Sequence, residues 1–413
     1  MRRSIWFCLG LGLCLAAKAY GNGGHLWSIG VIGRQLGELL AGCPFCSAPS
    51  LTMAEQLAQS DAVLLVKWVG GKPAAGNDGG TTDFEIVEVV KQPSGSGFKP
   101  GGALSLVRYR AAKAGTLFLL LGTKGGAVID WGSPLEVTVE SFTYMKQAPS
   151  PDVPTTKRLK YFMKYLEAAD QTIATDAYGE FANAPYADIT PLAPEMPREN
   201  LRKWVLDPNV SPSRLGLYGL MLGLCGKPED AAILEQKILE MSEDFRLGID
   251  GVMGGYLLLT GEEGLAKLEA SKVANKKAPF SETYAAMQAL RFMWQYGEGK
   301  IPAERLRQSM RLFLERPELA DLVIADLARM KDWSIQTRLM QLYGQEEYDI
   351  PSIKRAIVRF LLACAKDVPA ADGSSGAVAQ KPEHAALAAK YLAELEAKDP
   401  KTVADAKRFF FIK

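Results

Sequence analysis

Apolar positions along the chain change period once, near residue 150. Before that point the runs are short and strand-like. They are "AVLLVKWV" (62–69), "TDFEIVEVVK" (82–91), "ALSLVRY" (103–109), "TLFLLLG" (116–122), "AVIDWG" (127–132) and "LEVTVE" (135–140). Near-regular spacing and Gly/Pro turns between the runs predict a small all-β sandwich or barrel. Ahead of the first run, Thr52-x-x-Glu55 precedes "QLAQ". This capping-box pattern predicts a short helix over 53–59.

A Pro-rich stretch, "QAPSPDVPTT" (147–156), marks a hinge, and everything after it carries the helical period. Helices are predicted at 157–169, 171–183, 197–206, 212–225, 229–242, 246–260, 262–274, 281–296, 301–315, 318–331, 334–343, 350–366, 382–398 and 401–411. Gly or Pro turns join most of them, so antiparallel packing is the natural outcome. "RLGLYGLMLGLCG" at Arg214 is matched by "RLGIDGVMGGYLLLTG" at Arg246, an offset of 246 − 214 = 32 residues. Gly216, Gly219 and Gly223 fall at the same places as Gly248, Gly251 and Gly255. A fainter third copy, "ETYAAMQALRFMWQYG", has Ala285 and Ala289 instead. A period in the low thirties with two helices per unit predicts an α-solenoid. Each glycine costs about 1 kcal/mol of helix propensity relative to alanine. Two readings justify that cost: close packing between stacked helices, or a groove that admits a ligand or an extended peptide.

The first residues have a different pattern. Arg2 and Arg3 precede the apolar run "SIWFCLGLGLCLAA", and "AKA" follows. A basic start, a short apolar core and an A-x-A end predict a secretory signal peptide over 1–19, cut after Ala19. Residues 20–42 then form a Gly-rich spacer. The expected division is a β-barrel domain over 43–146, the hinge over 147–156 and a helical repeat domain over 157–413.

Two resemblances follow. From Cys43 to about Glu140, the clustered cysteines, the stretch "SLTMAEQLAQSDAVLLVKWV" and strands of the type "TDFEIVEVVKQ" and "GTLFLLLG" resemble the netrin/tissue-inhibitor-of-metalloproteinase-like module, an OB-type barrel. The chain departs from that family in carrying C-x-x-C instead of C-x-C, with no later cysteine in the module. The resemblance therefore implies the fold but not protease inhibition, which depends on a free N-terminal cysteine in the C-x-C setting. The part over 157–413 resembles HEAT-like repeats. As a whole the chain resembles exported proteins of planctomycete-type bacteria. The fold class expected is α+β and multidomain, an OB-like barrel followed by an α-solenoid.

Charge excludes one function class. The 413 residues carry a net charge of +1, so there is no electrostatic footprint for nucleic acid. After the signal, no stretch is long and apolar enough to span a bilayer.

"CPFC" (43–46) allows several chemistries. A redox centre needs a strand before the motif and a helix starting at it, so that the helix N-terminus lowers a thiol pKa. Here "GRQLGELLAG" precedes it and Pro49 follows. A zinc site needs four ligands, and beyond the cysteines the chain offers only His25 and His384. Leu40-Ala41-Gly42-Cys43 matches a lipoprotein box, although Arg34, Gln35 and Glu38 interrupt the apolar core such a box should close. A local Cys43–Cys46 disulfide fits the exported setting and these flanks best. Cys225 and Cys364 read as small buried hydrophobes.

No Ser/His/Asp set, H-E-x-x-H or Gly-rich phosphate loop is present, so no cofactor is expected. One polar cluster remains, Asp176, Tyr178, Glu180 and Asp188 in "TDAYGEFANAPYADI". Arg214/Tyr218 and Arg246/Asp250 occupy matching i,i+4 places in the two glycine-rich helices. These eight residues are either a salt-bridge network that sets the stacking or a polar binding site. The function expected is an exported, non-catalytic binding or scaffolding protein of the cell envelope with a protein or peptide partner. The alternative is a hydrolase-type enzyme using Asp176, Glu180 and Asp188. Close approach of those three in one open pocket would favour the enzyme.

Overall fold

A computed structural model describes residues 42–47, 51–75, 79–126, 128–240, 242, 244–368, 382–408 and 410. The stretch expected as a signal peptide, His25 and nearly all of the expected spacer lie outside the described residues. The fold is α+β, and residues 41–413 form one compact unit.

Helix α1 (Met53–Gln59) begins at the expected capping box: Glu55 N–H donates to Thr52 Oγ1, and Thr52 N–H donates to Glu55 Oε2. Strands β1 (Ala62–Lys72), β2 (Thr81–Lys91), β3 (Ala103–Leu106), β4 (Leu117–Gly125), β5 (Val128–Trp131) and β6 (Leu135–Glu136) form one antiparallel sheet in the order β3-β2-β1-β4-β5, with β6 also on β4. Its central strand β1 is buried on both faces, which is why it reads as an unbroken apolar run and not an alternating one. Val63 and Leu65 join the core shared with the helices, while Leu64 and Val66 join Phe84, Ile86, Phe118 and Leu120 in a second core.

The sheet is open, not closed as an OB-type barrel would be. Register explains this. The short edge strand β3 pairs with Thr82–Glu85, opposite the C-terminal half of β1. The other edge, β5, pairs with Gly122–Gly125, beyond the start of β1. Two four-residue edges at opposite ends of the central strand cannot meet.

The strand expected over 135–140 stops at Glu136. Thr138 instead caps helix α2 (Val139–Gln147), exchanging hydrogen bonds with Ser141. The rest is helical: α3 (Thr155–Phe162), α4 (Gln171–Asn183), α5 (Tyr186–Ile189), α6 (Arg198–Trp204), α7 (Pro212–Cys225), α8 (Ala231–Leu239), α9 (Ile249–Thr260), α10 (Glu262–Leu268), α11 (Phe280–Tyr296), α12 (Ala303–Leu312), α13 (Pro317–Arg329), α14 (Gln336–Leu342), α15 (Pro351–Lys366), α16 (Glu383–Lys398) and α17 (Pro400–Arg408). Helix α7 packs on α9, α9 on α11, α13 on α15, and α15 on both α16 and α17. No described helix is long and apolar enough to cross a membrane.

The repeated glycines are contact points between backbones. A Cβ on Gly219 would stand 2.5 Å from Val252 Cα, and one on Gly216 would stand 2.7 Å from the carbonyl oxygen of Phe45. Gly248 sits at φ 80° as the N-cap of α9. Helix α9 therefore starts at Ile249, so Arg246 lies outside it, and the expected i,i+4 pairing of Arg246 with Asp250 does not form.

Candidate functional site

Cys43 and Cys46 are disulfide-bonded, with Cα atoms 5.3 Å apart. The clip is seated on the helices. Cys43 N–H donates to Ala182 O at the end of α4 (3.1 Å), and Ser47 N–H donates to the Tyr178 hydroxyl (3.2 Å). Between the two cysteines, Phe45 enters a notch over α7 and α9. Its ring lies where a Cβ on Gly254 would be only 2.6 Å away, and it meets Phe292 of α11 at 4.8 Å between centroids. The glycine faces are thus filled by one another and by this ring.

Beside the clip, a cavity of about 660 Å³ opens between the start of α1, the β4–β6 edge and α4. Thr52, Gln171, Thr172, Thr175, Asp176 and Tyr178 supply its polar atoms, and Leu51, Leu121 and Leu135 supply apolar wall. Asp176 links three elements. Its Oδ1 accepts from Met53 N–H on α1 (2.6 Å), and its Oδ2 accepts from the Tyr144 hydroxyl on α2 (2.8 Å). Burial pushes the Asp176 carboxyl up, and these two donors only partly oppose it. The Tyr144 phenol is driven far above its ordinary range by burial and by Asp176, so it stays a hydrogen-bond donor.

One turn on, Glu180 is buried and paired with Arg158 of α3. Its other oxygen, Oε1, has no hydrogen-bond partner, and neither has Arg158 Nε. Burial again raises the carboxyl. Asp188 sits apart on α5, half-buried, and is engaged through its backbone: its N–H donates to Pro185 O (2.9 Å) and its carbonyl accepts from the Thr156 hydroxyl (3.1 Å). Of the three carboxylates in the enzymatic reading, Asp176 alone lines the cavity.

Arg214 and Tyr218 do share a face of α7, and both reach Glu167. Arg214 donates to it at 2.7 Å and to Gln171 at 2.9 Å, while the Tyr218 hydroxyl donates to it at 2.6 Å. Arg246 pairs elsewhere, with Glu282 of α11 at 2.8 Å, and also donates to the carbonyls of Lys237 and Ile238 that end α8. Lys272 joins Glu282 at 2.8 Å. Asp250 is held near Gly251 N–H (3.0 Å), with its carboxyl raised by burial. Tyr178 is raised chiefly by burial, with Arg214 and Asp250 acting on it in opposite senses.

No protein-family model, no curated protein and no solved structure matches the chain. Phe45, Tyr144, Arg158, Glu167 and Glu282 complete the network, yet none stood out in the sequence. Their partners lie in other helices, at separations the local pattern does not encode. Among the described residues no three His, Cys, Asp or Glu side chains are grouped to hold a metal ion. His384 ends with its Nε2 2.9 Å from Asp367 O, stacked on Trp333.

Proposed function

We propose that the chain is an exported, non-catalytic binding or scaffolding protein of the cell envelope, working in the periplasm or outside the cell. In this reading the helices stack as a HEAT-like solenoid, and its outer surface takes a protein or peptide partner. The N-terminal sheet is an open derivative of the netrin/OB type, clamped to one end of the stack. One observation carries the reading: most of the charged side chains of the candidate site are engaged in joining elements. Asp176 uses both oxygens to tie α1 and α2 to α4, Glu180 holds α3, and Arg246 ties α8 to α11 through Glu282. Asp176, the one carboxylate of the three on the cavity, accepts a hydrogen bond on each oxygen from a neighbouring element, which gives it a joining role.

Crosslinking in intact cells, followed by purification of the full chain, tests this. A partner retained in fixed stoichiometry supports it. A chain that crosslinks to nothing, or turnover of an ester, peptide or glycoside that Asp176→Asn abolishes, refutes it.

A further inference from the structure

Among the described arginines, Arg355 and Arg359 stand out. Each of the others meets a carboxylate, carbonyl or other partner, Arg408 included. Arg355 and Arg359 make no hydrogen bond or ion pair, and Arg359 Nε is fully buried without an acceptor. They lie one turn apart on α15 and face the same groove, about 550 Å³, between α13 and α15. Arg329 stands on the opposite wall, shared with Asp326, and Asp321 is the one carboxylate among the lining residues. Ala325, Ala328 and Ala356 floor the groove, and the Phe410 ring borders it. Like charges at i,i+4 oppose each other on a bare helix, and a buried guanidinium nitrogen without an acceptor is costly. An anionic occupant removes both penalties.

We infer that this groove docks an extended acidic segment of a partner protein, one with carboxylates at alternate positions. The inference rests on the binding reading above and names the partner's chemistry. Guanidiniums at i and i+4 start from Cβ atoms roughly 6 Å apart. Side chains on one face of an extended peptide repeat at roughly 6.5–7 Å. The two spacings match, and each guanidinium can fork onto a carboxylate. The alanine floor leaves room for a backbone with small side chains between the acids. A nucleic-acid strand is disfavoured because the whole chain has a net charge of only +1.

The test uses the full chain and a short fluorescein-labelled peptide alternating glutamate and alanine, followed by anisotropy. Peptides with glutamine or lysine in place of glutamate serve as controls. The glutamate peptide should bind and weaken with added salt. Arg355→Gln and Arg359→Gln should each lower affinity about tenfold while thermal melting of the free protein stays the same or rises, and Arg359→Lys should recover part of the lost affinity. Equal binding by wild type and the double Gln variant overturns the inference, as does no binding to a folded wild type. If crosslinking captures a partner equally with both forms, the scaffold reading survives and the groove assignment falls. If the glutamate peptide binds through the two arginines but no partner is captured in cells, the groove stands and the scaffold reading falls.

Discussion

Glycine-to-alanine substitution in a helix usually stabilises, so two such changes in this chain should act with opposite sign. At Gly179, in the middle of α4, the nearest atom to an added Cβ is Thr52 Cγ2 at 3.5 Å, an ordinary contact. Nothing opposes the propensity gain, and Gly179→Ala should stabilise by up to about 1 kcal/mol. At Gly219 the same Cβ meets Val252 Cα at 2.5 Å and Val252 N at 2.6 Å. Contacts of that kind relax to about 3.5 Å or more, so α7 and α9 must separate by about 1 Å where they touch. Overpacking typically costs about 1–3 kcal/mol when side chains can give way. Here both sides are backbone, so the upper end applies. After subtracting about 1 kcal/mol for propensity, Gly219→Ala should destabilise by about 2 kcal/mol. Urea denaturation followed by circular dichroism reads both as midpoint shifts in opposite directions, with the slope unchanged. If Gly219→Ala moves the midpoint up as Gly179→Ala does, the helices are not in backbone contact there and the packing account fails.

Phe45→Ala should cost about 3 kcal/mol, the usual loss for an aromatic removed from a packed site; an unchanged urea midpoint would show that the ring does not occupy the notch over Gly254. Glu282→Gln leaves Arg246 and Lys272 buried without their counter-charge and should cost about 3 kcal/mol at neutral pH. Burial alone would raise the Glu282 carboxyl, but Arg246 and Lys272 outweigh it and hold it below its ordinary 4.5. Its stabilisation is therefore complete above about pH 4.5 and fades as pH falls through the lower folded value. The gap between wild type and Glu282→Gln should close in that acid window, and a gap that stays constant to low pH would contradict the ion pair. In the native protein Cys43, Cys46, Cys225 and Cys364 should take up iodoacetamide slowly: Cys43 and Cys46 are bonded, while burial pushes Cys225 up to about 11 and Cys364 up to about 12. Rapid labelling of Cys43 and Cys46 without reductant, mapped by mass spectrometry, would count against the clip.

The legible parts of the chain are those whose signals are local. Helix α7 spans the expected 212–225 because Pro212 supplies its first turn and Gly226 its end, and α4 spans the expected 171–183 because Asp170 caps it. Helix α2 was hidden for the converse reason. "LEVTVE" alternates like a strand, and the capping partner of Thr138 is Ser141 instead of the glutamate that marks such a box in sequence. The barrel expectation failed at long range, since strand lengths show in the sequence but the register that strands β3 and β5 at opposite ends does not. The polar cluster was legible as residues and not as pairs. Asp176 and Arg214 stand out in apolar surroundings, yet Tyr144 is 32 residues from the first and Glu167 47 from the second. Arg355 and Arg359 are like charges one turn apart, which in sequence does not differ from a solvated helix face.

The two features that looked unrelated in the sequence, the C-x-x-C and the glycine-rich repeat, depend on each other in space. Close contact between α7 and α9 requires glycine at the crossing, and the same lack of side chains leaves a notch above Gly254 and Gly216. An aromatic ring fills such a notch only if the loop carrying it is held in place, and a three-residue cross-link does that over the shortest span. Hydrogen bonds from Cys43 and Ser47 to α4 then fix the direction in which the chain leaves toward Thr52 and α1. This also explains why Cys43, Phe45 and Met53 belong to the helical core although they precede the sheet in the chain. Thiol catalysis would need the attacking sulfur exposed at the start of a helix, whereas Cys43 is only 5% exposed and followed by a turn. The motif's chemistry is thus subordinate to its geometry: it seats Phe45 on the glycine stack and anchors the segment ahead of the sheet on α4.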